Sequence, residues 1–235
     1  MSKKVFGGVI CNLVICAVIT IVFISSLGSA QVASGGEVIY RGNAKDKVSI
    51  MINVYWGTEY LPQMLDVLDE CGVKTTFFVG GSWASANPTM LKEIYDRGHE
   101  IGNHGYYHKD HKKLAYNRNR EEILITHKVV KETLGVEMNL FAPPSGSYCN
   151  ATLKAAEDLS YKTVMWTLDT IDWRDKDENL IIKRATEKAE GGSLILAHPT
   201  FSTAAALKTI IEKLKSKGLS VATVSEVIES KIDVA

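Results

Sequence analysis

An α/β fold wound around a parallel sheet is what the chain predicts, on three observations. Short β-branched runs alternate with amphipathic stretches, the pattern of repeated βα units. Apolar residues make up 46% of 235 residues, with only five prolines, enough to bury a full core and suited to one domain better than two. No short-period repeat or low-complexity segment breaks the alternation, which reads as barrel-like.

Taken in order, residues 31–45 read as a linker, with Ser34 to Gly36 its Gly/Ser-containing part, and 46–235 as the folded domain. Val48 to Val54 is expected to be a buried strand. Glu59 to Glu70 then has Leu61, Met64, Leu65 and Leu68 on one helical face and is closed by Gly72. Lys74 to Val79 is the second strand. A helix from Pro88 to Asp96 ends at Gly98, His99 to Gly102 is a short strand, and Arg118 to Leu134 is a long helix closed by Gly135. Further strands are expected at Asn139 to Phe141, Thr163 to Thr167, Ser193 to Ala197 and Ser220 to Thr223. Helices are expected at Thr152 to Leu159, Glu178 to Ala189 and Ala204 to Lys217.

The N-terminus bears on compartment. Lys3 and Lys4 precede an apolar run from Val5 to Leu27 of about 20 residues, long enough for an export signal or a membrane anchor. Gly28 and Ala30 have the spacing a signal peptidase reads, placing cleavage near Gln31, so residues 1–30 are expected to be a signal peptide or anchor. The protein is therefore expected to be exported, either secreted or anchored to the outer face of the membrane. Charge is balanced, 27 basic against 27 acidic residues, and no basic field exists to gather nucleic acid. Cys11 and Cys16 lie in the apolar run, which leaves Cys71 and Cys149 for an oxidising space. Cys71 ends an amphipathic helix and reads as a small buried apolar residue, with pairing left open.

Functional groups in such folds sit where strands end, and five polar clusters fall there. Two histidines four apart, His104 and His108 in HGYYH, could bind one metal, though by spacing alone a solvated surface loop is the commoner case. His99, His111 and His127 have no comparable partner and read as structural or exposed. His198 after SLILA suits a general acid or base, or equally a satisfied loop histidine. Asp169 and Asp172, followed by Trp173, place two carboxylates and an indole at one strand end, where acids orient imidazoles and indoles stack on sugars, or else form a turn. Pro143, Pro144 and Gly146 fix a rigid loop. Tyr55, Trp56 and Gly57 follow the first strand.

In this order the clusters resemble the polysaccharide deacetylases with a NodB-homology domain, carbohydrate esterase family 4, over about residues 46 to 230. GHEIGNHGYYH resembles the metal-histidine motif, FAPPSG the Arg-Pro-Pro-Tyr-Gly groove wall, TLDTIDW the Asp-x-x-Asp-Trp motif and LILAH the Leu-x-His motif; TTFFVGG also fits. The resemblance implies a distorted (β/α) barrel of about seven parallel strands and metal-dependent N-deacetylation of a glycan. It gives His104 and His108 the role of ligands to zinc or cobalt, His198 and Asp169 a catalytic role, and Pro143, Pro144, Gly146, Asp172 and Trp173 the groove.

One motif departs. The family's Thr-Phe-Asp-Asp-Gly aligns with NVYWG, so Tyr55 stands where the base belongs and Trp56 where the third metal ligand belongs. Ala142 replaces the arginine that pairs with the base, and Ser145 the groove tyrosine. A phenol, titrating near pH 10, is a poor base at neutral pH, and an indole offers a metal no usable ligand. An arginine facing no carboxylate would be an unpaired charge, so its loss is coherent with loss of the base. The expected function is a deacetylase-like, sporulation-linked envelope protein with lost or strongly reduced activity. In that reading it retains binding to cell-wall glycan such as peptidoglycan, with Trp56 now a stacking surface. The alternatives are an active deacetylase, with Asp169, Asp172 or Asp110 replacing the missing ligand, and a structural or partner-binding envelope domain. A metal is doubtful without the aspartate, and a monomer is expected.

Overall fold

The computed structural model describes residues 36–229. The apolar run at the N-terminus lies outside the described residues, and no helix among those described is long and apolar enough to cross a membrane.

Eight strands pair in the order β1-β6-β5-β4-β3-β2-β8-β7, every pair parallel. They are β1 (Val38–Ile39), β2 (Lys47–Val54), β3 (Thr76–Val79), β4 (Glu100–Asn103), β5 (Leu140–Phe141), β6 (Lys162–Val164), β7 (Leu168–Asp169) and β8 (Leu194–Ala197). A ninth, β9 (Ser220–Val221), pairs with the first residues of β2. The sheet curls into a distorted half-barrel with helices on its outer face. These are α1 (Leu61–Glu70), α2 (Gly81–Ala86), α3 (Pro88–Asp96), α4 (Tyr116–Leu134), α5 (Asn150–Asp158), α6 (Glu178–Thr186), α7 (Phe201–Ser216) and α8 (Val224–Glu229).

Strand β2 explains the layering. Seven of its eight residues are buried, as expected of a parallel strand covered on both faces. Side chains alternate: Val48, Ile50, Ile52 and Val54 join the large outer core beneath the helices, while Met51 joins a smaller inner core with Phe78, Leu140, Val164 and Leu194. Helix α8 contributes Val224, Val227 and Ile228 to that inner core. The alternation sends Asn53 inward at the C-terminal end of β2.

The expected strands and helices stand, with shifted ends and additions. The expected linker contributes β1, which pairs with β6, and Arg41, which bridges to Ser193. A two-residue edge strand carries too short a pattern to be read from periodicity. Strands β1 and β7 raise the strand count above the expected seven, and helices α2 and α8 are further additions. Helix α6 stops at Thr186 instead of Ala189, and α7 begins at Phe201, where the Thr200 hydroxyl accepts from Thr203 N at 3.0 Å. Cys71 and Cys149 are both free thiols.

Two histidines without a clear role in the sequence are structural. His99 is 2% exposed; its Nδ1 accepts from Thr75 N at 3.3 Å, and its ring meets Phe77 edge-on at 5.1 Å. His111 is fully buried, donates from Nδ1 to Asn119 Oδ1 at 2.7 Å and leans on Phe141. Nε2 of each has no partner. Burial holds both below the ordinary imidazole value, His99 at about 4. The unfolded chain protonates these rings near pH 6.5 while the folded protein leaves them neutral, so their contribution is complete above that pH. It is lost as pH falls from about 6.5 towards 4. Urea unfolding between pH 7 and 5 should therefore show stability dropping more steeply for the wild type than for His99→Gln, by up to about 1.4 kcal/mol per pH unit. Equal slopes would show that His99 charges in the native state.

Candidate active site

A cleft of about 340 Å³ opens at the C-terminal edge of the sheet, lined by Asn53, Tyr55, Trp56, His104, His108, Ser145, Trp166, Asp169, Trp173, Leu196 and His198. Eight residues picked out in the sequence thus converge: Tyr55, Trp56, His104, His108, Ser145, Asp169, Trp173 and His198. Asp172 and Ala142 act from behind, and Pro143, Pro144 and Gly146 do not line the cleft.

Register brings them together. Strand β2 pairs with β3 through Val54↔Val79 and with β8 through Ile52↔Ala197, so Tyr55, Gly80 and His198 leave adjacent strand ends. Strand β4 follows β3 through Val79↔Asn103 and delivers His104. His104 is 1% exposed and donates from Nδ1 to the Ala142 carbonyl at 2.7 Å, which fixes the ring and leaves Nε2 a lone pair. Burial, and then the neighbouring His108, push its pKa well below the ordinary value; burial also lowers that of His108. The two rings lie edge-on, 5.1 Å apart.

Tyr55 stacks on His108 at 4.7 Å with 23° between planes. Its other side meets the chain at Gly80, where an added Cβ would fall 2.9 Å from Tyr55 Cδ2, so VGG leaves room for the ring. Trp56, 44% exposed, lies almost parallel to His198, 6.0 Å away at 7°. That approach is set by Gly57, at φ +76°, where a Cβ would stand 1.9 Å from the Pro199 carbonyl oxygen. The substituted positions therefore hold aromatic faces packed on imidazoles.

His198 is held by Asp172. That buried carboxylate accepts from His198 N at 2.6 Å, His198 Nδ1 at 2.7 Å and Thr203 Oγ1 at 2.5 Å. Asp172 is thus a positioning residue beneath the cleft, not part of its surface. Asp169 accepts from Ile171 N at 2.8 Å and faces the cleft. Asp110, exposed, bonds Ser147 and pairs with Lys113 at 2.9 Å, and does not line the cleft.

Three non-glycine residues with positive φ cluster here: His108 at 52°, Ser145 at 54° and Ile171 at 54°. Such conformations cost about 1–3 kcal/mol each and gather at functional sites. Gly146, at φ +64°, lets the Pro-Pro turn press on Trp166: a Cβ there would come within 2.6 Å of the indole. Asn53, Trp166 and Leu196 were not anticipated. Asn53 is one polar residue in an apolar strand, and that contrast was the available signal.

Of the imidazoles and the carboxylate lining the cleft, His198 is held by Asp172, Trp56 supplies no ligand atom, and Asp169 does not complete a set with His104 and His108. No group of three His, Cys, Asp or Glu side chains suited to an ion occurs among the described residues. Catalytic zinc sites use three protein ligands, so the residues present do not fit that role.

Replacing Asp172 with Asn would set an amide NH2 against one of three buried donors. We expect Asp172→Asn to lower unfolding stability by about 1.5–3 kcal/mol and to shift the His198 Nδ1–H resonance. An unchanged urea midpoint would mean that the carboxylate does not hold the loop.

The polysaccharide deacetylase family profile matches residues 41–164. The chain is 43% identical over 194 residues to the protein YlxY of Bacillus subtilis strain 168, covering 82% of this chain and 61% of that one. It is 34% identical over 182 residues to a peptidoglycan-N-acetylglucosamine deacetylase of Bacillus cereus, covering 73% and 83%. Among solved structures it resembles a CE4 family pseudoenzyme from Bacillus anthracis, with TM-score 0.81, 39% identity and coverage of 84% and 71%. A mutant of that pseudoenzyme is described as having restored enzymatic activity. The chain spans less than two thirds of YlxY's length. With a family match over more than half its residues, the fold expected of that family and the ordered clusters around one cleft, the chain belongs to the polysaccharide deacetylase family.

Proposed function

We propose that the protein is a deacetylase-like component of the cell envelope that has lost, or strongly reduced, N-deacetylase activity and binds cell-wall glycan in its cleft. The observation that carries this reading is the double stack of Tyr55 on His108 and Trp56 on His198. The family's deacetylases are metal-dependent, and here the positions of base and third ligand hold planar rings. General base catalysis is worth about 10² to 10⁴-fold, and a phenol lying on an imidazole replaces neither base nor ligand. Planar rings on a cleft rim, including Trp173 at 57% exposure, are suited to stacking on sugars. Ala142 is fully buried, so the former arginine position has been absorbed into the inner core.

Peptidoglycan is the proposed glycan, supported by relatives named for acting on it. Export through residues 1–30, the domain boundary near residue 46 and a link to sporulation belong to the same proposal. A second reading, a working deacetylase with an atypical base, is favoured by the intact His198–Asp172 pair and by His104 and His108.

The first test is acetate release from peptidoglycan and from N-acetylglucosamine oligomers, with zinc or cobalt supplied and His104→Ala as background. We expect no release above that background and intact sugar binding; clear release would establish the second reading. The combined variant Tyr55→Asp, Trp56→Asp and Ala142→Arg should recover metal binding and measurable acetate release. If it folds and stays silent, these three positions do not account for the loss.

A further inference from the structure

Six large hydrophobic side chains stand exposed among the described residues, and all are aromatic. Trp56 and Trp173 line the cleft; Phe201, at 64% the most exposed of the six, does not. Single exposed apolar residues are ordinary, so the surroundings of Phe201 decide whether it is one of them.

Phe201 is the first residue of α7, where the preceding Thr200 supplies the cap. Helix geometry asks for no ring at that position, and the ring belongs to neither core. The backbone that carries it is nevertheless fixed on both sides. Thr200 Oγ1 accepts from Thr203 N at 3.0 Å, Ser202 Oγ donates to the Lys176 carbonyl at 2.8 Å, and Thr203 Oγ1 donates to Asp172, the carboxylate that also holds His198. Tyr60, half-buried against the outer core, meets the Phe201 ring edge-on at 6.3 Å and 72°. A planar face is thus held in solvent on a fixed support, and a ligand that stacks on it loses little conformational freedom in ordering the protein.

Its place adjoins the cleft. Tyr60 N donates to the Gly57 carbonyl at 3.0 Å, and Gly57 lies against the Pro199 carbonyl, so the segment that carries Trp56 and Tyr60 packs along the one that carries His198 and Phe201. Three residues separate Phe201 from His198, which puts their Cα atoms within about 11 Å of each other, and Trp56 stacks on that same His198. The cleft itself, at about 340 Å³, is at the small end of ligand pockets, which run from about 300 to 1,000 Å³. A polymeric ligand seated in it has to continue past its rim.

We propose that Phe201, backed by Tyr60, is an outer subsite on which a sugar further along a bound glycan stacks, so that the site takes a chain of several sugars and not one alone. This rests on the reading that the cleft binds glycan and adds the length of chain it takes and the residue that reads that length.

Calorimetric titration of the full-length chain with an N-acetylglucosamine dimer and with the hexamer tests it. We expect the hexamer to bind about tenfold more tightly than the dimer. Phe201→Ala should weaken the hexamer about three- to tenfold without changing the dimer, and Phe201→Trp, which keeps a planar face, should restore it. Equal affinities in the wild type, or hexamer binding that Phe201→Ala leaves untouched, overturns the outer subsite and leaves glycan binding standing. An equal loss for both ligands, or a loss that Phe201→Trp does not recover, would mean that Phe201 acts by shaping the cleft and also overturns it. Failure of both oligomers to bind the wild type overturns glycan binding itself, and the subsite with it. Sedimentation of the unliganded chain checks the competing occupant: a dimer that Phe201→Ala dissolves would make the ring a contact between copies and sinks the proposal.

Discussion

Strand β2 is hydrogen-bonded to β3 on one side and β8 on the other, and its first residues also pair with β9. Because side chains alternate with period two, a slip of one residue would turn Val48, Ile50, Ile52 and Val54 away from the helices and bring Met51 and Asn53 into their layer. The cost of exposing or misplacing that apolar set pins the register. Everything at the cleft follows from it, since the register decides that Asn53 points inward, that Tyr55 emerges beside Gly80, and that His198 emerges across from Trp56.

Around that strand the site is assembled by contacts reaching across the sheet. Asp172 joins the loop after β7 to the end of β8 and the first turn of α7, with one carboxylate serving three donors. The Ala142 carbonyl, after β5, orients His104, after β4. The frame that would place an acid and two imidazoles is thus intact. What has changed is the pair of side chains leaving β2, and the frame accommodates them. Gly80 gives Tyr55 its room, and Gly57 allows the turn that lays Trp56 along His198. The two aromatic side chains are thus built into the packing.

Much of this was legible in the chain. The long elements, β2, α1, α3 and α4, are periodic over enough residues to stand out. The histidine, aspartate and Pro-Pro clusters keep an order that identifies the family. Two-residue strands such as β1 and β7 carry too few residues to show a period, and a cleft residue such as Trp166 is marked only by its position in the fold. His99 and His111 read as structural or exposed. Burial decided for the first, through non-local contacts with Phe77 and with Phe141.

The sequence by itself determined the sheet-and-helix alternation, the family, and the absence of carboxylates at Tyr55 and Trp56, because these depend on residue identity and short-range period. The tertiary structure alone decided that Tyr55 stacks on His108, that Asp172 serves His198 from below, and that Asn53 keeps an unpaired oxygen at the cleft. Each joins residues far apart in the chain, and only the pairing of β2 with its neighbours converts their order into distance.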